Sequence, residues 1–291
     1  MNHNILVGTC GWGYDEWVGP FYPKGLKKRD FLLYYSEIFY TNEINTTFYN
    51  IPSKKVVNNW VVNTPKNFLF SVKLPKIITH ENKLNINLSQ NALKSFLKTM
   101  EPLLNANKLL SFLIQLPPSF TKERYFNNLK EFIENWPDNH GKDKYFLVVE
   151  FRHKSWMDDE SFEYLRENNL IYCAVIEPLL PPRMDVTNDE FCYIRFHGFG
   201  KDPWFDYFFK EEEIKSWAKS IKEVVDQVER VGIYFNNHFS GYAARNSLML
   251  MKELNLEPRN RPEDVKILNV KKRASKSWKG QVDLDKFLKA D

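Results

Sequence analysis

The sequence has few cysteines, and their positions exclude several kinds of site. Cys10, Cys173 and Cys192 are far apart in the chain, and no two of them form a CxxC pair. An odd number of scattered cysteines argues against a disulfide framework and against a thiolate zinc site. It favours a reducing compartment.

Targeting and membrane signals are also missing. The first residues, MNHNILVGTCGW, contain no basic region that leads into an apolar stretch, so we expect no signal peptide. No apolar run approaches the length that crosses a bilayer. We therefore expect a cytoplasmic protein without a membrane partner, and the sequence does not predict its oligomeric state.

The residues that are present fit a large folded domain. Of the 291 residues, 43% are hydrophobic and 15% are aromatic, including 23 Phe. This composition supports a bulky core and argues against a disordered chain. The formal net charge of +4 is mild and does not by itself call for a nucleic-acid partner.

Strand and helix patterns alternate along most of the chain. The predicted strands, rich in Val, Ile, Leu, Phe and Tyr, are residues 4–10, 40–48, 68–74, 109–116, 145–151, 170–176, 191–197 and 231–237. Helical patterns separate most of them, and the proline-rich segment 177–190 predicts a loop. We predict an α/β fold, a single (β/α)8 TIM barrel over residues 1–255, followed by a short basic C-terminal extension at 256–291. A doubly wound open sheet is the alternative, which the lack of a Gly-rich phosphate loop disfavours.

Polar side chains accumulate where the predicted strands end. In the stretch TNEINTTFYNIP, Glu43, Asn45 and Thr47 alternate, so a strand would place all three on one face. Active sites of TIM barrels gather at the carboxyl ends of the strands, so these ends are expected to surround one pocket. The other polar residues at strand ends are Ser71, Lys73, Gln115, Glu150, Arg152, Arg195, His197, Asn236 and Asn237. Burying several charges for stability alone is costly, which favours a functional pocket.

Four of these residues are candidate catalytic groups. Glu43 and Glu150 suit acid/base work, or alternatively pair with arginines in a salt-bridge network. Lys73 adds a positive charge or, if desolvated, acts as a base or nucleophile. His197 precedes a glycine, which lets the backbone approach a ligand, although a structural histidine is the alternative.

Other polar residues are candidate substrate-binding groups. Arg152 and Arg195 can each grip a carboxylate or phosphate through two hydrogen bonds. His80, in the loop after the third strand, is a second histidine candidate. Amides that can orient hydroxyl groups are Asn45, Gln115, Asn236 and Asn237.

Two aromatic loops complete the expected pocket. They are residues 11–23 and 198–209, and both follow a predicted strand. Trp12 in the first loop is a candidate to stack on a sugar or a base. Packing of the loops on themselves is the alternative.

We predict neither a metal nor a cofactor. Glu43, Glu150 and His197 could hold a divalent ion as a minority alternative, but the cations expected at the same mouth disfavour it. The sequence contains no HxH or HExxH spacing and no GxSxG nucleophile motif.

Seven ordered segments resemble the domain of unknown function 72 family, also called YecE-like. They are GTCGWGYDEWVGPFYP, EINTTFYNIP, TPKNFLFSVKLPKIITHENKL, QLPPSF, VEFRHKSW, YIRFHG and YFNNHFSGYAARNS. The resemblance implies a TIM barrel and supplies no reaction. Two positions depart from the family pattern, since Cys10 stands where Ser is usual and Glu177 replaces the usual Asp.

Three functions follow from these features, in order of preference. The first is an enzyme, a hydrolase, lyase or isomerase, that acts on a small anionic, sugar-like substrate carrying phosphate or carboxylate. The second is a nucleic-acid-binding or phosphodiester-hydrolysing protein anchored by the basic segment 265–280. A solvated terminus is the alternative interpretation of that segment. The third is a non-catalytic ligand-binding protein.

Overall fold

Eight parallel strands form a barrel. A computed structural model describes residues 4–137, 141 and 144–265. The strands are Ile5–Thr9 (β1), Thr41–Ile44 (β2), Leu69–Lys73 (β3), Leu109–Gln115 (β4), Phe146–Glu150 (β5), Ile171–Ile176 (β6), Phe191–Phe196 (β7) and Arg230–Phe235 (β8). They pair in the order β1-β8-β7-β6-β5-β4-β3-β2. The predicted TIM barrel is confirmed.

Helices cover the outside of the barrel. They are Phe31–Ser36 (α1), Lys54–Val62 (α2), Ile86–Asn105 (α3), Lys122–Glu134 (α4), Asp159–Glu167 (α5), Glu211–Val225 (α6) and Tyr242–Glu253 (α7). The buried stripe of α6 consists of Ile214, Ala218, Ile221 and Val224. The segment 177–190 contains no helix, as predicted. In the described part of the chain, no helix combines the length and apolar character needed to cross a bilayer.

The ring closes between β1 and β2 through a single bridge. Cys10 pairs with Glu43, and the Gly11 N–H donates to the Glu43 carbonyl at 2.7 Å. The two strands come so close that a Cβ on Gly8 would lie 2.4 Å from the Thr41 carbonyl oxygen. A larger residue at this position would push the strands apart, so closure requires glycine.

The barrel interior changes from apolar to charged along the strand direction. Side chains that fill the amino end are Leu6, Phe146, Ile171 and Phe191. Above them lies a chain of hydroxyl groups with links of 2.7 to 3.0 Å, in the order Ser111, Ser71, Tyr234 and Thr41. This layer satisfies its own polar groups, as buried hydroxyls must. The charged side chains therefore lie above a layer of residues that hydrogen bonds hold in place.

The strand predicted at residues 40–48 is shorter than expected. β2 ends at Ile44, and Thr46–Phe48 form one turn of 3-10 helix. The backbone of Asn45 is already αR (φ −98°, ψ −18°), so the prediction that Glu43, Asn45 and Thr47 share one strand face is wrong. The Thr47 hydroxyl shares its proton between the Lys73 carbonyl at 2.7 Å and the Ile44 carbonyl at 3.2 Å, and the local bond to Ile44 competes with an extended backbone.

A buried lysine lies at the amino end of the barrel. Lys108, just before β4, donates from Nζ to Val61 O, Thr64 O and Thr64 Oγ1 at 2.7 to 2.8 Å. Burial, followed by the charge of Arg259, lowers the pKa of Lys108 to about 8. The lysine ties the end of α2 to the start of β4.

The chain stays in contact with the barrel beyond residue 255. The Arg259 N–H donates to the Ile38 carbonyl at 2.8 Å, and its guanidinium lies 4.2 Å from the Tyr40 ring centroid. Residues 266–280 of the basic segment lie outside the described residues. The division at residue 255 and the contact of the segment with nucleic acid therefore stay predictions.

Candidate active site

Charged residues from distant parts of the chain meet at the carboxyl end of the barrel. Glu43 of β2, Glu150 of β5 and Arg195 of β7 lie inside it and are at most 1% exposed. Arg152, Glu177 and His197 follow β5, β6 and β7 within two residues and join the same cluster. Parallel strands in a closed ring bring all these ends together.

Arg195 bridges two carboxylates inside the barrel. Its Nη2 donates to Glu43 Oε1 at 2.7 Å, and its Nη1 donates to Glu150 Oε2. The Tyr193 hydroxyl donates to the second Glu43 oxygen at 2.7 Å. Buried charges are tolerated only when paired in this way. The two glutamates thus form the salt-bridge network, and their acid/base role stays a prediction.

Arg152 donates hydrogen bonds to other members of the same cluster. Its Nε donates to Glu150 Oε1, its Nη1 donates to Glu177 Oε2, and its Nη2 lies 2.9 Å from His197 Nε2. Burial alone would raise the pKa of Glu150, but Arg152 and Arg195 outweigh burial and hold this pKa well below its usual range. Because both guanidinium groups are committed to carboxylates, neither presents a free pair of donors to an incoming anion.

His197 is a neutral histidine with a defined tautomer. Burial, Arg152 and Arg195 hold its pKa well below the usual value. Since Arg152 donates to Nε2, this nitrogen carries the lone pair and Nδ1 carries the proton. The Asn236 carboxamide lies 3.0 Å from Nδ1, and with its oxygen turned to the ring it accepts this proton. The other polar atom of the Asn236 carboxamide lies 3.5 Å from Asn45 Nδ2.

Lys73 differs from the other cations of the mouth. Its Nζ lies 4.0 Å from the Phe48 ring centroid and makes no hydrogen bond to a described residue. Burial, followed by the charge of Arg195, lowers the pKa of Lys73 to about 8. The Thr47 hydroxyl donates to the Lys73 carbonyl at 2.7 Å, which fixes Phe48 beside this side chain. An appreciable fraction of the amine is therefore neutral near pH 7.

His80 contacts the same aromatic ring, Phe48. One turn of π-helix, Ile77–Glu81, carries it, and its ring centroid lies 4.8 Å from that of Phe48. Burial, followed by the charges of Lys73 and Lys83, lowers the pKa of His80 to about 4. Single π turns occur often at functional sites. Lys73 and Lys83 give this side of the mouth a positive charge.

Two predicted binding amides are engaged with the protein. Gln115 Nε2 donates to the Leu116 carbonyl at 2.7 Å. Asn237 is buried, and its Nδ2 donates to the Tyr207 carbonyl and to Asn246 Oδ1. Asn237 thus holds the loop after β7 against α7. Contacts of either amide with a ligand stay predictions.

The aromatic loop after β1 packs on the protein. The Trp12 ring meets Trp60 of α2 edge-on, with 6.1 Å between centroids. Tyr14 stacks on His238 at 4.6 Å, and the Trp17 Nε1 donates to the His238 carbonyl at 2.6 Å. The structure thus shows the self-packed alternative for this loop, and stacking of Trp12 on a ligand stays a prediction.

Several members of the cluster were not predicted as site residues. Glu177 was noted only as a departure from a family pattern, although it pairs with Arg152. Tyr193 could have been found, because it precedes Arg195 by two residues on the same strand and must share its face. No signal pointed to Phe48, which lies in the turn expected as strand.

Two buried thiols also touch the cluster. Arg195 Nη2 lies 3.6 Å from Cys10 Sγ, and Cys173 Sγ lies 3.7 Å from Glu150 Oε2. Burial, followed by the nearest glutamate, raises the pKa of both thiols. Both therefore stay protonated and are poor nucleophiles.

The three groups of the minority metal site do not surround an open space. Arg195 lies between Glu43 and Glu150, and Arg152 lies between Glu150 and His197. Guanidinium groups donate hydrogen bonds and do not coordinate metals. Within residues 4–137, 141 and 144–265, no cluster of three or more His, Cys, Asp or Glu is spaced to hold a metal ion.

Comparisons with known proteins place the barrel in one family. The sequence model described as "Protein of unknown function DUF72" matches residues 6–268. UPF0759 protein YunF of Bacillus subtilis is 26% identical over 279 residues, which cover 87% of this chain and 95% of that protein. A DUF72 family crystal structure from Thermotoga maritima shares 33% identity and a TM-score of 0.77, covering 87% of this chain and 100% of that one. One from Enterococcus faecalis shares 25% identity and a TM-score of 0.71, covering 88% of this chain and 100% of that one.

Proposed function

This chain belongs to the DUF72 protein family, whose description names no reaction, and we propose that its barrel mouth is the active site of an enzyme for small, polar, anionic substrates. The carboxyl end of a TIM barrel is where such sites are built. The mouth of this barrel carries both rigid ion pairs and Lys73, a lysine that makes no hydrogen bond to a described residue. We therefore assign a structural role to the ion-paired residues and the reactive role to Lys73.

The proposal rests on how the contacts of Lys73 differ from those of the two arginines at the mouth. Arg152 and Arg195 are fixed by Glu43, Glu150 and Glu177, whereas the Lys73 ammonium has no hydrogen-bonding partner among the described residues. Lys73 is half-buried at the end of β3, so its ammonium is partly desolvated without an ion-pair partner among the described residues, and charged groups of this kind are typical of functional sites. Lys73 is therefore the group that a substrate meets.

The neighbourhood of Lys73 favours an anion. The charges of Lys73 and Lys83 both lower the pKa of His80, so two lysines lie on the β3 side of the mouth. Lys83 Nζ donates to the Ser119 hydroxyl at 2.8 Å, a neutral acceptor that leaves its charge uncompensated. A phosphate or carboxylate on the substrate would complement this charge.

The ion-pair network has a positioning role in this proposal. Glu150 is held ionised by two arginines, so it cannot serve as a general acid near neutral pH. Instead, the network fixes the tautomer of His197 and its hydrogen bond to Asn236, which lies beside Asn45. These amides can orient the hydroxyl groups of a sugar-like substrate.

A binding screen with matched variants tests the proposal. Phosphorylated and carboxylated sugars are screened by thermal shift, and hits are measured by calorimetry on wild type, Lys73→Met and the exposed control Lys98→Met. We expect hits that bind the wild type and the control equally, and a loss of at least tenfold in affinity with Lys73→Met. Hits that bind Lys73→Met as tightly as the wild type would overturn the proposal, as would a screen without hits.

A further inference from the structure

Lys73 has the surroundings of a nucleophile rather than of an ion-pair partner. An ion-pair lysine would place Nζ against a carboxylate oxygen, as Lys122 does with Asp158 at 2.5 Å. Lys73 instead places Nζ over the face of Phe48, at 4.0 Å from the ring centroid. The ring face attracts the protonated amine but is not a carboxylate, so no ion pair has to be broken before the amine reacts.

The charges around Lys73 hold it partly as the free amine. Groups that act on it from β2, β5 and β7 are Glu43, Glu150, Arg152 and Arg195, and His80 and His197 also interact with it. Burial is the largest influence and Arg195 is the next, and together they lower the pKa of Lys73 to about 8. At pH 7 roughly a tenth of such an amine is neutral, against less than about a thousandth for an ordinary lysine.

We propose that Lys73 is a Schiff-base lysine, whose Nζ condenses with the aldehyde or ketone carbonyl of a small anionic substrate. The inference rests on the proposed function, because it assigns the reacting group of the same mouth. Lysines activated by desolvation and a neighbouring cation are used for this chemistry. Carbonyl compounds that carry phosphate or carboxylate fit both the amine and the charge of the β3 side.

The step balances without a further reactant. The neutral amine adds its lone pair to the carbonyl carbon, the C=O π bond breaks, and one proton passes from the nitrogen to the oxygen to give a carbinolamine. The nitrogen lone pair then forms the C=N bond as the carbon–oxygen bond breaks, and the hydroxyl group leaves as water with one proton taken from solvent. The product is a protonated imine, whose positive charge withdraws electrons from the neighbouring carbon and makes bond cleavage there easier.

Trapping experiments on the full-length protein test the inference without knowledge of the substrate. Pentane-2,4-dione condenses with neutral lysines to give an enaminone that absorbs in the near ultraviolet. We expect one equivalent to attach at Lys73, identified by peptide mass spectrometry, with a rate that rises along a titration centred near pH 8. Glycolaldehyde phosphate with sodium cyanoborohydride should leave a reduced adduct on the same residue.

Two variants separate this inference from the proposed function. Lys73→Arg keeps the positive charge but cannot form the imine, so it should retain most of the affinity for anionic hits and lose the adduct entirely. The control Lys98→Arg should label as the wild type does. Labelling of Lys73 no faster than of surface lysines overturns the Schiff-base assignment even when anions still bind. If Lys73→Met binds the anionic hits as tightly as the wild type does, the proposed function is overturned instead.

Discussion

Arg195 Nη2 donates to Glu43 Oε1 at 2.7 Å across the interior of the barrel. The strands that carry the two residues, β7 and β2, are not neighbours in the ring. The bond therefore forms only when the barrel has closed. Since the same guanidinium also holds Glu150, one side chain compensates two buried carboxylates.

Replacement of Arg195 by Met is expected to destabilise the protein by about 3–5 kcal/mol, because it leaves two buried carboxylates without their shared partner. The free energy of unfolding in urea measures this loss. Arg166→Met is the matched control, since Arg166 forms an exposed pair with Glu163 and should cost less than about 1 kcal/mol. A loss for Arg195→Met as small as that of the control contradicts the network described here.

Lys108→Met tests the amino end of the barrel separately from the mouth. The variant leaves three oxygen atoms of Val61 and Thr64 without their donor, so we expect a loss of about 2–4 kcal/mol in the free energy of unfolding. Labelling of Lys73 in the folded variant should be unchanged. A variant as stable as the wild type would show that these contacts contribute nothing.

Lys73→Met is expected to have the opposite effect on stability. The ammonium has no hydrogen-bonding partner among the described residues, so the variant should be as stable as the wild type at pH 7, or more stable. Urea titrations of both proteins measure the difference. A loss above about 1 kcal/mol would assign Lys73 to the structural network instead.

The same pair of proteins predicts a pH dependence. The pKa of Lys73 is about 8 in the folded chain, below its ordinary 10.5, so between these values the unfolded chain binds more protons. Stability from this group is therefore complete above the unfolded pKa and is lost as the pH falls through 8. Relative to Lys73→Met, the wild type should gain about 1–3 kcal/mol between pH 7.5 and 10. A difference that stays flat or falls over this range contradicts the assignment.

The tautomer of His197 gives a spectroscopic prediction. In long-range nitrogen–proton NMR spectra, His197 should show an unprotonated Nε2 and a protonated Nδ1 down to pH 5.5, because burial and two arginines lower its pKa. Asn236→Asp places a carboxylate on Nδ1 and should raise the His197 pKa, whereas Asn236→Gln should not. A proton on Nε2 in the wild type would rule out the proposed hydrogen-bond direction.

The sequence predicts the barrel well because its signal is local. β7 and β8 appear as short runs of β-branched and aromatic residues, and the proline-rich segment 177–190 shows that a helix is missing after β6. The polar residues that end these strands follow from the same alternation. The convergence of Glu43, Glu150 and Arg195 was predicted for this reason.

The sequence does not predict which of the site residues form ion pairs with one another and which do not. Arg152 and Lys73 both read as cations at strand ends, and only the structure shows that one is held by two glutamates while the other is not. The turn at 46–48 was also missed, because the Thr47 hydroxyl bonds to carbonyls at 44 and 73 and overrides the β propensity of the stretch. The contact between Phe48 and Lys73, which this turn produces, was therefore not predicted.

The ionisation of Lys73 is the most direct test of the account. Lysine labelled with carbon-13 at Cε is incorporated into the full-length protein, and the Lys73 signal, assigned with Lys73→Arg, is followed from pH 6 to pH 11. We predict a midpoint near pH 8. A midpoint indistinguishable from those of the surface lysines would contradict the claim that the mouth holds a partly neutral lysine.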